Sequence, residues 1–486
     1  MSNLGQLKQT RINKLESLTK RGIDPYPGKV SRKHLIADAR KHTGKHVEIA
    51  GRIVAWRGHG KLNFLDLADE TGKIQIAFKT DLLNTEQLSL IELLDLGDLV
   101  AVQGQVNKTV AGEITVFVKN FQILTKTLRP LPDAWYGLKD VEDRYRQRYV
   151  DLLVNPEVKK IFTTRSKIVT FLRDYLTKDG FLEVETPILQ PLYGGASAKP
   201  FTTRHNALDT QFYLRISDEL YLKRLIVAGF EKVFEIGKDF RNEGLSKEHN
   251  PEFTMLEFYW AYQDYENLMV YTEQMLAALV KEIFGSCRFC FQGTNLDFTP
   301  PWPRKTYRQS LEEHIGIDIN QANTEEKLLA EIRSRKIKID LTGTIGYGAV
   351  LDRLYKQTTR PKLTGPLFLT QRPTAFVTLA KRLTTDPSKT ASFQLLVGGR
   401  ELINAYNELN DPTDQAKRWQ ESEELGKKGQ TEHEVYDADY IRALEYGMPP
   451  TAGWGLGIDR LVAILTDKHS IKEVILFPTL KPEKYD

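Results

Sequence analysis

The sequence predicts an α+β protein in which a small β-barrel is followed by a larger domain, a mostly antiparallel sheet flanked by helices. Short segments with alternating apolar residues run from about residue 46 to residue 118, with one helical segment among them. A proline-rich stretch at residues 128–133 then marks a domain boundary. Beyond it, the strand segments are not separated by regular single helices, which argues against a doubly wound parallel sheet.

Residues 1–45 are predicted to form a basic helical arm. Leu7, Ile12 and Leu15 fall roughly at helical spacing, and Gly22 ends the helix. The arm contains eleven Lys and Arg residues against three Asp and Glu residues, in a chain whose net charge is only +4. This uneven charge favours a polyanion partner, although a solvated surface helix would have the same composition.

The next region, residues 46–128, is predicted to be an OB-fold barrel. Three strands, a helix and two more strands are expected, around residues 47–53, 64–67, 74–78, 85–96, 99–107 and 113–118. This order is typical of the OB-fold, which binds oligonucleotides on one face, but a generic small barrel shares it. Gln75 alternates with Ile74 and Ile76, so its side chain is expected to point away from the core.

In the larger domain, a long amphipathic helix is expected over residues 158–178, then a strand over 181–187. Later strands are expected over residues 212–216, 233–240, 253–260, 393–397 and 402–409. Residues 288–298 are also predicted to form a strand, so that Cys287 and Cys290 face opposite sides. With no second Cys/His pair at zinc spacing, this CxxC is not expected to bind zinc. The most polar stretch, residues 421–434, is expected to be an exposed helix end and turn.

Composition argues against several classes of protein. No run of about 18 apolar residues occurs, so neither a membrane span nor a membrane partner is expected. The first 45 residues lack the apolar core of a secretory signal. Only two cysteines occur, which favours a reducing compartment and hence the cytoplasm.

The most informative segment for chemistry is FRNEG, residues 240–244, followed by HNPEF at 249–253. Arg241 can hold a phosphate in a planar, bidentate grip, and Phe253 can stack on a base. A second segment, GWGLGIDR, ends at Arg460. Its alternating glycines let a strand pass close to a ligand, and Arg460 could lie on the ring face opposite Phe253.

These two segments resemble motifs 2 and 3 of the class II aminoacyl-tRNA synthetases, and the surrounding sequence resembles the lysyl-tRNA synthetase family from about residue 47 to residue 478. The most specific matches are RGHGK (57–61), LRPLPDAWYGLKDVEDRYRQRYVDLLVNPEV (128–158), GGASAKPF (194–201), ELYLKRL (219–225) and NELND (407–411). The helix and strand before Pro187 resemble motif 1, which forms the dimer interface in that class.

The resemblance implies a homodimer that activates L-lysine with ATP and transfers it to the 3′ end of tRNA(Lys). It divides the chain into the arm (1–45), an OB-fold anticodon-binding domain (46–128), a linker and dimer-interface segment (129–149) and a class II catalytic domain (150–486). For ATP, it implies that Arg241 contacts the α-phosphate and His249 the triphosphate. Phe253 and Arg460 would sandwich adenine, with Glu243 near its amino group.

For lysine, the resemblance implies that Glu408 pairs with the ε-ammonium, helped by the hydroxyl of Tyr259. Glu219 and Glu257 would lie near the α-amino group, Asn404 near the carboxylate, and Gly195 would leave room for the substrate backbone. In the barrel, Phe64 would stack on an anticodon base while Arg57, Gln75 and Glu113 read base edges; without the resemblance, Phe64 would be expected in the core.

The family's cofactor is Mg²⁺, for which Glu401 is the expected ligand, with Gln394 and Glu408 as weaker candidates. Gln394 stands where the family usually has a glutamate, which affects the expected number or affinity of the ions. Two further departures lie in the lysine pocket: Ser217-Asp218 replace a usual alanine and proline, and Tyr406 replaces a usual phenylalanine.

Three alternatives to a lysine–tRNA ligase share parts of this sequence. An aspartyl or asparaginyl synthetase has the same architecture but no reason to keep Glu408 beside Tyr259. A paralogue that attaches a lysine-type group to a translation factor would lack the anticodon-binding domain, which this chain has. A catalytically inactive RNA-binding paralogue is opposed by the retention of Arg241, Glu243, Glu408 and Arg460.

Overall fold

The computed structural model describes residues 3–58, 62–132, 138, 140–342, 344–427 and 434–483. The chain forms two compact units, Met1–Asp140 and Val141–Asp486. Three residues of RGHGK (59–61), the last residue of the proline-rich stretch (133) and residues 134–137 and 139 lie outside the described residues.

The first unit contains a closed five-stranded barrel with strand order β1–β2–β3–β5–β4. The elements in chain order are α1 (Asn3–Lys20), α2 (Ile36–Ala39), β1 (His46–Arg57), β2 (Leu62–Asp69), β3 (Gly72–Lys79), α3 (Thr85–Ile91), β4 (Leu99–Lys108) and β5 (Ile114–Thr125). The predicted order of three strands, a helix and two strands is therefore confirmed. Helix α3 is shorter than expected, and β5 is longer.

Every second side chain along the strands points into the barrel and forms its interior. Leu65 and Leu67 on β2 are completely buried and face inward. The basic arm belongs to this unit, because Leu18 of α1 and Ile36 of α2 are buried in the same apolar cluster. Some of its cations pair within the unit, as Lys14 does with Asp95 at 2.8 Å.

The second unit is built on an eight-stranded sheet. Its helices are α4 (Val141–Arg146), α5 (Arg148–Val154), α6 (Pro156–Lys178), α7 (Glu219–Val227), α8 (Tyr265–Phe284), α9 (Tyr307–Ile315), α10 (Glu325–Ser334), α11 (Tyr347–Thr358), α12 (Pro412–Lys427), α13 (Ala438–Glu445) and α14 (Ile458–Leu465). Its strands are β6 (Leu182–Glu183), β7 (Leu189–Gln190), β8 (Thr202–His205), β9 (Thr210–Leu214), β10 (Lys232–Phe240), β11 (Glu252–Ala261), β12 (Arg288–Phe291), β13 (Thr294–Asp297), β14 (Arg304–Thr306), β15 (Leu367–Thr370), β16 (Ser392–Val397), β17 (Arg400–Asn407) and β18 (Thr451–Gly457).

The strand order of the main sheet is β14–β15–β16–β17–β18–β11–β10–β6. Only the two outer pairs, β14–β15 and β10–β6, are parallel, so the predicted mostly antiparallel sheet is confirmed. One face carries the core, in which Leu256 and Phe258 of β11 pack with apolar residues of α6, α8 and α14. Glu257 and Tyr259 alternate with them and therefore point to the opposite face.

Three local predictions are wrong. Residues 288–298 form a hairpin, β12–β13, because Gln292 and Gly293 turn the chain with φ of 48° and 78°. Cys287 precedes this hairpin and Cys290 is exposed on it; both are free. The strand expected over 181–187 is reduced to the two residues of β6. In the polar stretch 421–434, the predicted helix end is present, since α12 ends at Lys427, and residues 428–433 lie outside the described residues. The error is confined to Glu434, which is only 8% exposed.

Candidate active site

The site lies on the face of the sheet opposite the core, over the central strand β18. Gly453 of β18 is in register with Tyr259 on one side and Tyr406 on the other. One pair further along, Gly455 lies between Glu257 and Asn404. A groove therefore runs along the glycines between two rows of polar side chains. A Cβ on Gly453 would lie only 2.0 Å from Oε1 of Glu408, so this close approach requires glycine.

A cavity of about 350 Å³ occupies this groove. Twelve of the predicted site residues line it: Gly195, Glu219, Arg241, Glu243, His249, Phe253, Glu257, Tyr259, Glu401, Asn404, Glu408 and Arg460. They come from six separate parts of the chain. Gln394, in contrast, is 4% exposed on β16 and is not among the lining residues.

One end of the cavity is cationic. Arg241 follows β10 and lies over Phe253, with its guanidinium carbon 5.1 Å from the ring centroid. Arg460, in the first turn of α14, donates from Nη1 to the carbonyl oxygen of Glu401 at 2.9 Å. Partial desolvation, then the charge of Arg460, lower the pKa of His249. This end is suited to phosphates and a flat ring, and its histidine is neutral near pH 7.

Asp459 fixes the position of the arginine beside it. Its carboxylate accepts from the backbone N–H of Thr254 at 2.8 Å and from Arg165 of α6 at 2.6 Å. These bonds tie α14 to β11 and α6, so Arg460 and Phe253 are held on the same rigid scaffold.

The other end of the cavity is anionic. Glu408 is 1% exposed, and its Oε1 has no hydrogen-bond partner. Burial raises the pKa of Glu408 to about 8, although Lys223 opposes this shift. Glu219 accepts from the hydroxyl of Tyr406 at 2.7 Å. The hydroxyl of Tyr406 therefore helps to hold an acid of the pocket in place.

The middle of the cavity contains groups that would orient an amino acid. The hydroxyl of Tyr259 donates to Glu257 at 3.1 Å, not to Glu408, which leaves its oxygen free to accept. Arg372 donates to Oδ1 of Asn404 at 2.8 Å, so the amide NH₂ of Asn404 is left for an acceptor such as a carboxylate. Gly195 has φ of 83°, and a Cβ there would lie 3.0 Å from Oγ of Ser217.

Three buried carboxyl groups lie beneath this region: Asp218, Asp239 and Glu257 have oxygens within 4.8 Å of one another. Burial, then Glu257 and Asp239, raise the pKa of Asp218. Burial, then Glu219 and Asp239, raise the pKa of Glu257 to about 8. Arg215 is 3.2 Å from Asp239 and compensates only part of this charge, so the cluster retains protons at neutral pH.

A Mg²⁺ site with one protein carboxylate fits the cavity. Glu401 lines it near Arg460, and Mg²⁺ needs only one or two carboxylates when phosphate oxygens supply other ligands. Glu401 and Glu408 are seven residues apart near the two ends of β17, roughly 20 Å at the usual rise of a strand, so they cannot share an ion. Glu408 is also paired with Lys223.

In the first unit, the four predicted anticodon residues lie on or next to adjoining strands. Phe64 is half-buried, is in register with Arg57 of β1 and lies outside the core cluster. Arg57 is exposed and pairs with Asp66 at 2.6 Å. Gln75 of β3 points outward and accepts from Thr115 at 2.7 Å, and Glu113 is exposed just before β5.

Sequence reasoning missed three charged residues of the site. Lys223 pairs with Glu219 and Glu408; its spacing four residues after Glu219 on a helix was the available signal. Arg372 orients Asn404, and Glu434 lines the cavity while accepting from Trp419 at 2.7 Å. No sequence pattern around Arg372 or Glu434 indicated these contacts.

Comparison with known proteins agrees with this geometry. The family described as tRNA synthetases class II (D, K and N) matches residues 140–481, and the family described as OB-fold nucleic acid binding domain matches residues 47–124. A lysine–tRNA ligase of Pelotomaculum thermopropionicum is 47% identical over 99% of this chain and 96% of its own length. One from Carboxydothermus hydrogenoformans is 47% identical over 99% of both chains. The chain therefore belongs to the class II tRNA synthetases, and within them to the lysine–tRNA ligase family.

Proposed function

We propose that this chain is a lysine–tRNA ligase that forms lysyl-adenylate from L-lysine and ATP and transfers the lysyl group to tRNA(Lys). The observation that carries the proposal is a single cavity with two arginines at one end and a buried, half-unpaired glutamate at the other. ATP and lysine placed at these ends would meet between them, over the glycines of β18.

Activation requires the lysine carboxylate to attack the α-phosphate of ATP, so two anions must approach each other. Arg241 would bind the α-phosphate and lower that repulsion, while Arg460 and Phe253 would hold the adenine ring from its two faces. Glu243 would accept from the adenine amino group, and His249 would donate to the triphosphate. The site offers positioning and charge neutralisation, and this reaction needs no protein nucleophile.

The lysine end would recognise both amino groups. The ε-ammonium would bind Oε1 of Glu408 and the oxygen of Tyr259, while Glu219 and Glu257 would accept from the α-ammonium. The free NH₂ of Asn404 would hold the carboxylate in the direction of the α-phosphate. A buried charge needs a counter-charge, so a neutral side chain of similar length would bind poorly.

Mg²⁺ is proposed as the cofactor, with Glu401 as its protein ligand. When bound, it would neutralise charge on the phosphates of ATP. Neither Gln394 nor Glu408 is proposed as a ligand.

The first unit would bind the anticodon on its outer face. Phe64 would stack on a base, and Arg57, Gln75 and Glu113 would contact base edges. The presence of this unit favours a tRNA substrate over the protein substrate of a lysine-modifying paralogue.

A homodimer and a cytoplasmic location are also proposed. The dimer is expected to bury α6 and the preceding segment, where Tyr149 and Leu153 are exposed in the single chain at 62% and 41%. Sedimentation equilibrium tests this expectation, and a fully active monomer would contradict it. Within the described residues, no helix combines the length and apolarity that crossing a membrane requires.

ATP–pyrophosphate exchange tests the proposed function. Lysine alone among the standard amino acids should support exchange in the absence of tRNA, since all proposed activation groups lie in the second unit. Exchange with aspartate or asparagine, or with no amino acid, would refute the assignment.

A further inference from the structure

Lys223 is a fully buried cation just behind the anionic end of the cavity. It lies on α7, one turn after Glu219, and its ammonium is 2.7 Å from Oε1 of Glu219 and 2.9 Å from Oε2 of Glu408. Its side chain is 0% exposed and does not line the cavity. The ring of Tyr440 lies 5.4 Å from the ammonium.

Both partners of Lys223 line the cavity. One oxygen of Glu408 is therefore held from behind, while the other has no partner. Two buried carboxylates this close would repel each other or share a proton if no cation lay between them. Burial alone would lower the pKa of Lys223, but Glu219 and Glu408 outweigh it and raise that pKa, so the side chain is charged.

The charge balance matches one substrate ammonium at this end. When Glu408 is ionised, two carboxylates and one ammonium leave one negative charge in a buried site, and such a charge needs a counter-charge. Without that counter-charge Glu408 keeps a proton, as its raised pKa indicates. The ε-ammonium of a bound lysine would supply the counter-charge. A site without Lys223 would carry a second uncompensated charge and would lose the contact that fixes the orientation of Glu408.

We propose that Lys223 is a positioning residue of the substrate pocket, which holds Glu219 and Glu408 from behind so that Oε1 of Glu408 faces the substrate ammonium. This inference rests on the proposed function and adds to it a determinant of specificity for a charged over a neutral side chain. Lys223 itself touches neither substrate.

The test is Lys223→Met, with binding of L-lysine and of its neutral isostere L-2-amino-6-hydroxyhexanoate measured by titration calorimetry without ATP. The variant should bind lysine about 30-fold more weakly or worse, and its preference for lysine over the isostere should fall at least tenfold. Its KM for ATP in exchange should change less than threefold. If the Met variant no longer binds ATP and so has lost its fold, Lys223→Gln replaces it. That variant keeps a hydrogen-bond donor without the charge, and the same loss of lysine affinity and preference is expected.

Lys126→Met is the matched control. Lys126 is also fully buried and pairs with two acids, Asp95 and Asp98, but these acids do not line the cavity. Its loss should alter stability and leave the lysine preference unchanged.

Two results would overturn the role of Lys223: unchanged lysine affinity in the variant, or equal weakening of lysine and the isostere, which would indicate a purely structural ion pair. A parent protein that binds lysine but does not activate it would count against the proposed function alone. A parent that binds neither lysine nor the isostere would overturn both.

Discussion

Glu408→Gln is the most direct test of how the cavity selects its substrate. The change keeps the size of the side chain and one acceptor oxygen but removes the charge. Glu408 is 1% exposed, so water cannot replace the lost charge. Lys223 would remain paired with Glu219 at 2.7 Å, and a bound lysine would then bring an uncompensated ammonium into the pocket.

The size of the expected loss in lysine activation follows from the burial of Glu408. Removing one partner of a buried ion pair costs about 3–5 kcal/mol. The retained amide oxygen still accepts one hydrogen bond from the ammonium, so the lower end, about 3 kcal/mol, is expected. At 1.4 kcal/mol per tenfold, this corresponds to a fall of about 150-fold in kcat/KM for lysine.

ATP–pyrophosphate exchange at saturating ATP measures this loss, and the KM for ATP in the same variant reports whether the phosphate end is intact. Glu445→Gln, at an exposed position at the end of α13, is the matched control and should behave as the parent does. If Glu408→Gln activates lysine as well as the parent, Glu408 does not hold the ε-ammonium and the pocket assignment is wrong.

Three further outcomes are expected. Arg241→Ala should abolish both exchange and aminoacylation, because phosphate positioning precedes any tRNA step; retained exchange would show that another group binds the α-phosphate. Phe64→Ala should lower kcat/KM for tRNA by roughly ten- to a hundredfold, the cost of one base stack, with exchange nearly intact; equal loss of both, with an unchanged circular dichroism spectrum, would instead indicate coupled domains. Asp218→Asn should flatten the pH dependence of stability. The pKa of Glu257 is raised to about 8 and that of Asp218 is also raised, so their contribution to stability is present at acidic pH and lost as pH rises through about 8. The melting temperature of the parent should therefore fall between pH 5 and pH 9, and that of the variant should fall less; parallel curves would show that Asp218 does not hold a proton.

Structural features that depend on local periodicity, or on the order of residues within a motif, are predicted well from the sequence. The strand predicted over residues 253–260 is present as β11, and within it Glu257 and Tyr259 lie on the face opposite Leu256 and Phe258. The glycines of β18 indicate a close approach to a ligand, and they form the floor of the groove. Periodicity succeeds here because a strand's pleat fixes which face each residue occupies, whichever strands lie beside it.

The sequence predicts secondary structure poorly where the result depends on a turn. Residues 288–298 have a continuous strand-like pattern but form a hairpin, since two residues adopt positive φ at its centre. Nor does polarity predict exposure for Glu434, which is buried by Trp419 of α12.

The sequence by itself determined the fold class, the order of the motifs and twelve of the residues that line the cavity. Tertiary structure decided how those side chains are paired. Lys223 and Glu408 are 185 residues apart in the chain, and Arg372 reaches Asn404 across 32 residues. Asp218 and Asp239 are brought against Glu257 by neighbouring elements. No local pattern specifies such contacts, because they depend on which strands are neighbours and on the charge balance of the assembled interior.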